Sequence, residues 1–354
     1  MTTAIPTGRT PVDLRNPAQL LAALPYLLGF RLGASVVLLG HRPPVGDRLG
    51  LVMRADLPRR EDRIHQARAL APRFAAAPHT GVTVAIIGGR RRSGGPPPHA
   101  GFVDELAVAL AEFGLPVLHA VWAADIAEGA PWVCYTDEDC AGELPDPAST
   151  VAAAAATESG TVVFDSREEL AALLAPRSPE AVARRADELS RLAEPPWPES
   201  TRVDDAAAEI RAAFDRQRRG EGPPTDAEAV RLACALTLSE IRDVCLTMAV
   251  PPGTLEAREA ERLWLTLVQE LPAPERAEAA TLLGYTAFMR GEGTFAGMAL
   301  ENALEAAPDH LMARLLTTVL DHGMPPEQLL GLALAAETDS MPGFGLEPAE
   351  QPPF

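Results

Sequence analysis

Lysine is absent from this chain: all 31 basic residues among 354 are arginine. A guanidinium keeps its charge and presents a planar fork of donors, so chemistry that needs a titrating or compact ammonium is excluded. A P-loop phosphate clamp, a Schiff base to a carbonyl or pyridoxal cofactor, and a serine–lysine nucleophile pair all fall away. A GC-rich coding bias, which also enriches Ala, Pro and Gly, accounts for the missing lysines without any function; the exclusion holds under either cause. Basic charge is scarce too. The formal charge of −18 and pI near 4.8 argue against a protein built to grip a phosphate backbone, because that affinity rests on counterions released at a basic surface; a local arginine patch is still compatible with them. No nucleic-acid partner is therefore expected. Long apolar runs are missing as well: none approaches the ~20 residues that span a bilayer, and Met1 to Leu14 lacks the charged start and apolar core of a signal peptide. A cytoplasmic protein without a membrane partner is the expectation.

Cysteine is sparse, with four in the chain. Cys134 and Cys140 bracket an acidic stretch looser than a zinc knuckle, without a second pair or a nearby His-x-His to complete a ligand set. No metal is expected there. Cys234 and Cys245 lie in helix-like sequence, where Cys behaves as a small hydrophobe, and reduced thiols are the default.

What is present divides the chain in two, as its length and 47% hydrophobic content allow. In the first half, Asn16 and Pro17 read as N-cap and first residue of a helix to Leu28, stopped by Gly29. Ser35–Leu39 and Leu49–Ala55 read as strands of an antiparallel hairpin. A helix over 59–76, the strand Val82–Ile87, a helix over 102–113 and the strand Val117–Trp122 follow. Two successive strand–helix–strand units predict a mainly parallel sheet after the antiparallel first hairpin, with helices packed on it. Pro131–Tyr135 reads as an edge hairpin, Ala152–Thr157 as a short helix and Thr161–Phe164 as a further strand. Ser166 and Glu169 form a capping-box start to a helix over 167–174.

The second half shows helical periodicity alone, broken by Pro and Gly: 178–192, 202–218, 226–236, 239–249, 254–270, 275–290, 294–306, 309–321 and 325–335. The expected organisation is an α/β domain over 1–176, connecting helices and a Pro-rich linker over 177–224, an all-α domain over 225–336, and a flexible tail over 337–354. Within the all-α part, Leu283, Gly284, Ala287, Gly291, Ala296, Leu300, Ala303 and Pro308 keep the small/large spacing of one tetratricopeptide-like helix pair. A repeat array needs about three such units, so a helical packing unit is expected first, with a groove for a peptide or protein partner as the alternative.

Connectivity selects the candidate site. The start of Ser35–Leu39 must lie at the same sheet edge as the ends of the strands that follow, which gathers Arg31 and Ser35, Asp56, Gly88-Gly89-Arg90-Arg91-Arg92, and Asp125. Crevices outside strand carboxyl ends are where open α/β sheets take ligands. Glycine turns and guanidinium forks suit a phosphate or carboxylate, so Arg31, Ser35, Asp56, Gly88, Gly89, Arg90 and Asp125 are the candidate ligand-binding residues for a small anionic metabolite. The bland alternative is an ordinary glycine turn with a basic loop after it. No nucleophile elbow surrounds Ser35, His119 reads as a core histidine inside a strand, and His41 and His99 fall in loops. The sequence names no cofactor and leaves the question of turnover open: a non-enzymatic regulatory or adaptor protein is expected first. An enzyme using Asp56 or Asp125 as base or metal ligand, with Arg90 as clamp, is the alternative.

Asp13-Leu14 with the leucine-rich helix, Leu28-Gly29-Phe30-Arg31-Leu32-Gly33-Ala34-Ser35-Val36-Val37, Trp132 through Cys134 with Cys140, and Ala287 through Pro326 resemble an actinobacterial family, domain of unknown function 4192. In that family a proline usually follows the glycine–aromatic turn, where this chain has Leu32-Gly33, and the cysteine segment of relatives is richer in cysteine. The resemblance implies a cytosolic bacterial setting and supplies no activity.

Overall fold

The computed structural model describes residues 15–42, 48–76, 79–92, 95–137, 139–159, 161–192, 194–324 and 326. Met1 to Leu14, the helix expected over 325–335 (apart from Pro326) and the tail over 337–354 lie outside the described residues. Two compact units emerge. The first is built from Met1–Ala172 with Gly291–Gly297 and Thr317–Pro325, the second from Leu173–Arg290 with Met298–Leu316 and Pro326–Phe354.

In the first unit, α1 (Pro17–Leu28) starts where the sequence predicts, with the Asn16 side chain accepting from the Gln19 amide at 3.2 Å and proline in the first turn. Its Leu20, Leu21, Leu24 and Leu28 are buried, each contributing roughly 1.5–3 kcal/mol of transfer free energy. The strands are β1 (Ser35–Arg42), β2 (Arg48–Asp56), β3 (Gly81–Ile87), β4 (Val117–Ala123), β5 (Pro131–Cys134) and β6 (Ala141–Glu143), with α2 (Arg63–Ala75) after β2 and α3 (Ala100–Ala111) after β3. They form one six-stranded sheet in the order β2-β1-β3-β4-β5-β6. β1 and β3 are apolar and buried almost throughout, as expected of strands covered on both faces. Helix α2 packs on α3, and α1 on α4 (Val151–Ser159).

The sheet is mixed, which corrects the expectation of a mainly parallel one. Only β3 and β4 pair in parallel, and every other neighbouring pair is antiparallel. The cause is the position of β1, which inserts between β2 and β3, so the β2–α2–β3 connection passes over it. Strands β2, β3 and β4 still share one direction, but β2 and β3 never touch. His41 is likewise not in a loop but on β1. The strand expected over 161–164 reduces to a single parallel bridge between Phe164 and Phe30. Val162 there is 64% exposed and its neighbours are only half-buried.

The second unit is helical: α5 (Arg167–Ala172) precedes it, and α6 (Pro179–Arg191), α7 (Arg202–Arg218), α8 (Asp226–Leu236), α9 (Ser239–Thr247), α10 (Leu255–Glu270) and α11 (Arg276–Arg290) belong to it, while α12 (Gly293–Ala306) and α13 (Leu311–Asp321) are divided between the units. The local start signals hold. Ser178 caps α6 ahead of Pro179, and Thr225 with Glu228 closes a reciprocal capping box on α8. Trp264, Tyr285 and Phe214 are fully buried, with Phe214 edge-on to Trp264 at 5.9 Å. Arg185 of α6 is also buried and holds Asp226 at 2.9 Å, the Glu270 carbonyl at 2.8 Å, the Pro224 carbonyl at 3.2 Å and the Glu270 carboxylate. Among the described residues, no helix is long and apolar enough to cross a membrane.

Candidate functional site

The register of the sheet fixes what its edge holds. Ser35 lies opposite Asp56 on one side and Ile87 on the other, and Ile87 lies opposite Ala123. Ser35, Asp56, Gly88 and the end of β4 therefore share one edge. The residue that joins the first two was not foreseen: Arg54 donates from Nε to the Ser35 hydroxyl at 2.9 Å and pairs through Nη2 with Asp56 at 2.6 Å. Its side chain is only 14% exposed, against 83% for Asp56. The signal was present in the alternation of β2, where Arg54 and Asp56 stand two apart on one face.

The loop after β3 is shaped by two glycines. Gly88 has φ 95° and Gly89 φ 81°, and an added Cβ would meet Ala34 Cα at 3.1 Å or Pro98 Cβ at 3.1 Å. Both the left-handed backbone and the close approach demand glycine. The Gly88 amide donates to the Ala123 carbonyl at 2.9 Å, and the Gly88 carbonyl accepts from the Trp122 indole at 2.7 Å. At the far end, the Tyr135 hydroxyl donates to the Pro98 carbonyl; burial raises the Tyr135 pKa and keeps the phenol protonated. Arg91 turns back to the Gly95 carbonyl at 3.0 Å. The guanidinium groups of Arg90 and Arg92 are exposed and engaged by no described residue. Arg31 is ion-paired with Asp165 at 3.3 Å, both side chains exposed. Asp125 accepts from the Ile126 amide at 2.7 Å and so closes its own turn.

A second cluster was missed by the sequence reading. His119 on β4 lies opposite Thr83 on β3, and the Thr83 hydroxyl is 2.8 Å from His41 Nε2. Cys134 on β5 lies opposite Val121, two residues from His119 and on the same face. His119 Nε2 is 2.9 Å from Cys134 Sγ and 3.7 Å from Cys140 Sγ. The donor atoms of these three residues all fall within 4.8 Å of one another. Burial lowers the His119 pKa, His41 lowers it further and Asp137 opposes. Cys134 and Cys140 are bridged by a disulfide with Cα atoms 5.5 Å apart. This corrects the expectation of four reduced thiols: the free cysteines are Cys234 and the buried Cys245. No His-x-His pair accompanies the cysteine segment, as the sequence indicates, but the single His119 reaches it through strand register across 15 residues of sequence.

The helical unit holds a cavity of about 440 Å³ lined by Arg216, Arg219, Glu221, Glu228 and Arg262 among others. Its charges are largely spent on one another. Arg216 pairs with Glu221 at 3.2 Å and with Glu228, and Arg219 pairs with Glu221 at 2.5 Å. The Arg219 hydrogen bond holds the Glu221 carboxyl below the usual range, and the Thr225 hydroxyl is the first cause of the same shift at Glu228.

A family model described as Domain of unknown function (DUF4192) matches residues 17–327. No curated protein and no solved structure matches the chain.

Proposed function

The chain belongs to the DUF4192 family, whose description carries no activity, and from the geometry of its own residues we propose a non-enzymatic regulatory protein of the cytoplasm that binds a small anion at the loop between β3 and α3. The observation that carries this reading is the pair Arg90 and Arg92, exposed and engaged by no described residue, on a loop whose two left-handed glycines pack against Ala34 and Pro98 and so fix where it departs from the sheet. Phosphate and carboxylate are the groups that a guanidinium fork fits best. The other arginines of the set are occupied: Arg54 holds Ser35 and Asp56, and Arg31 pairs with Asp165.

An enzymatic reading has less support. The carboxylates it would recruit are already engaged, Asp56 by Arg54 and Asp125 by the Ile126 amide, and Ser35, which lies opposite Asp56, is fully buried with its hydroxyl held by Arg54. For the helical half, binding of a protein partner is favoured by Leu311 and Leu315, one turn apart on α13 and 71% and 58% exposed. The tetratricopeptide-like spacing across α11 and α12 agrees with such a role.

Thermal shift of the full chain against inorganic phosphate, a nucleoside monophosphate and a tricarboxylate tests the anion site. A ligand at a hundredfold its Kd adds about 2.7 kcal/mol to the native state, roughly 5–10 °C in midpoint for a unit of this size. Arg90→Ala with Arg92→Ala is expected to abolish that shift and leave the ligand-free midpoint unchanged. An equal shift in the double variant, or no shift with any of the three, overturns the reading.

A further inference from the structure

Cysteine and imidazole are borderline-soft donors, and a Cys2His set with one position left for water or substrate is an established pattern for a divalent metal such as Zn2+. Three such donors converge here from β4, the end of β5 and the residue before β6: His119 Nε2, Cys134 Sγ and Cys140 Sγ, all within 4.8 Å. One of the three spacings already matches a small cation, whereas His119 Nε2 to Cys134 Sγ at 2.9 Å and the bridged sulfurs must widen to admit one. Tetrahedral zinc at about 2.3 Å from sulfur and 2.0 Å from nitrogen requires its donors to lie roughly 3.5–3.8 Å apart, by simple geometry from those bond lengths, and the Cys140 Sγ to His119 Nε2 distance is 3.7 Å. Cys134 is 5% exposed and Cys140 is half-buried, so the cluster is sheltered on the Cys134 side and approachable from the Cys140 side. Beyond His119, the Thr83 hydroxyl and His41 continue the row of polar groups across β3 and β1.

The same two sulfurs are joined in a disulfide. A sulfur shared with its neighbour cannot serve as a thiolate ligand, so the bridged and metal-holding forms are mutually exclusive. We propose that His119, Cys134 and Cys140 form a redox-gated metal site, closed when Cys134 and Cys140 are bridged and able to take one thiophilic divalent cation when they are reduced. The opening step is thiol–disulfide exchange with a monothiol reductant. Two reductant thiols are oxidised to one disulfide, the Cys134–Cys140 bond breaks, and each cysteine sulfur takes up one proton. Binding then releases two thiol protons as Zn–S bonds form, and His119 binds as neutral imidazole. Cytoplasmic disulfides are usually transient and redox-sensing, which agrees with the regulatory role proposed above but does not depend on the anion site.

The test uses the full chain with Co2+ as an optical probe for Zn2+. As a control, the bridged chain unfolded in denaturant should titrate as two thiols and the phosphine-reduced chain as four, from two free cysteines and four in total. The reduced chain, freed of phosphine without air, is expected to bind one Co2+ with thiolate charge-transfer absorption that Zn2+ displaces, and the bridged chain none. His119→Ala and Cys140→Ser should each weaken binding by at least about tenfold, the size of a loss in the outer shell alone. Cys140→Ser lies at the accessible end of the cluster and serves if His119→Ala fails to fold. Cys234→Ser with Cys245→Ser should bind as the parent does. Absence of the charge-transfer band in the reduced parent, undiminished binding in Cys140→Ser, or loss of the band in the Cys234/Cys245 variant would each overturn the assignment. Failure of phosphate, nucleotide and tricarboxylate to shift the melting midpoint would leave this result untouched, so the two proposals fail separately.

Discussion

Replacing Arg185 by methionine is expected to cost the helical unit about 3–5 kcal/mol, the range for breaking a buried ion pair by removing one partner. The structure supplies the reason. Arg185 and Glu270 are 5% and 4% exposed, and the guanidinium also serves Asp226 and the carbonyls of Glu270 and Pro224. Without it, the Glu270 carboxylate stays buried with no countercharge, whereas Asp226 keeps Arg184 at 2.9 Å. Lysine in place of Arg185 is expected to recover only part of the loss, because one ammonium cannot reach the separate acceptors that the planar fork reaches. Adding Glu270→Leu to Arg185→Met removes the orphaned charge and is expected to return most of the stability, since a buried pair replaced by apolar groups is often neutral. Urea denaturation of the full chain at pH 7, followed by far-ultraviolet circular dichroism, reads the helical transition directly. A loss below about 1 kcal/mol, the scale of an exposed pair, would refute the argument. So would a double variant as unstable as Arg185→Met alone, which would place the cost in packing.

Two further predictions concern the sheet unit. Arg54→Met strips the fully buried Ser35 hydroxyl of its partner and is expected to cost roughly 1–3 kcal/mol in a thermal melt, part of it recovered by adding Ser35→Ala; an unchanged midpoint would show that water replaces the guanidinium. His79 has its pKa lowered to about 4, first by burial and then by Arg42 and His41, and neither ring nitrogen has a hydrogen-bond partner among the described residues. The unfolded chain takes up this proton near pH 6.5 and the folded chain only near 4, so stability is lost as pH falls between them. Linkage puts the loss at about 2 kcal/mol between pH 7 and pH 5, and urea midpoints for His79→Leu should show a profile flatter by that amount. Parallel profiles would refute it.

The parts of the fold legible in the sequence are those set by short-range chemistry. Asn16-Pro17, Ser178-Pro179 and Thr225 with Glu228 mark helix starts because a cap is made within a few residues. The shared edge of Ser35, Asp56 and Gly88 was also legible, since a hairpin followed by crossovers fixes strand directions whatever the lateral order. That order itself was not. The apolar runs of β1 and β3 satisfy burial on both faces equally well with β1 at the rim or between β2 and β3, so the insertion of β1 left no local mark. His119 with Cys134 and Cys140 was hidden for the same reason: register across β4 and β5 brings them together, and no spacing along the chain records it. The role of Arg54 stood in the alternation of β2, two residues before Asp56 on the same face.

Trp122 gives the molecule an optical reporter of its own. Its indole is buried and donates to the carbonyl of Gly88, the hinge from which the Arg90–Arg92 loop departs. The chain has only four tryptophans, so the emission of this one and the resonance of its indole proton can be isolated by replacing the others with phenylalanine. Any ligand that pulls on the glycine turn must alter that single hydrogen bond, which lets occupancy of the loop be followed without a label.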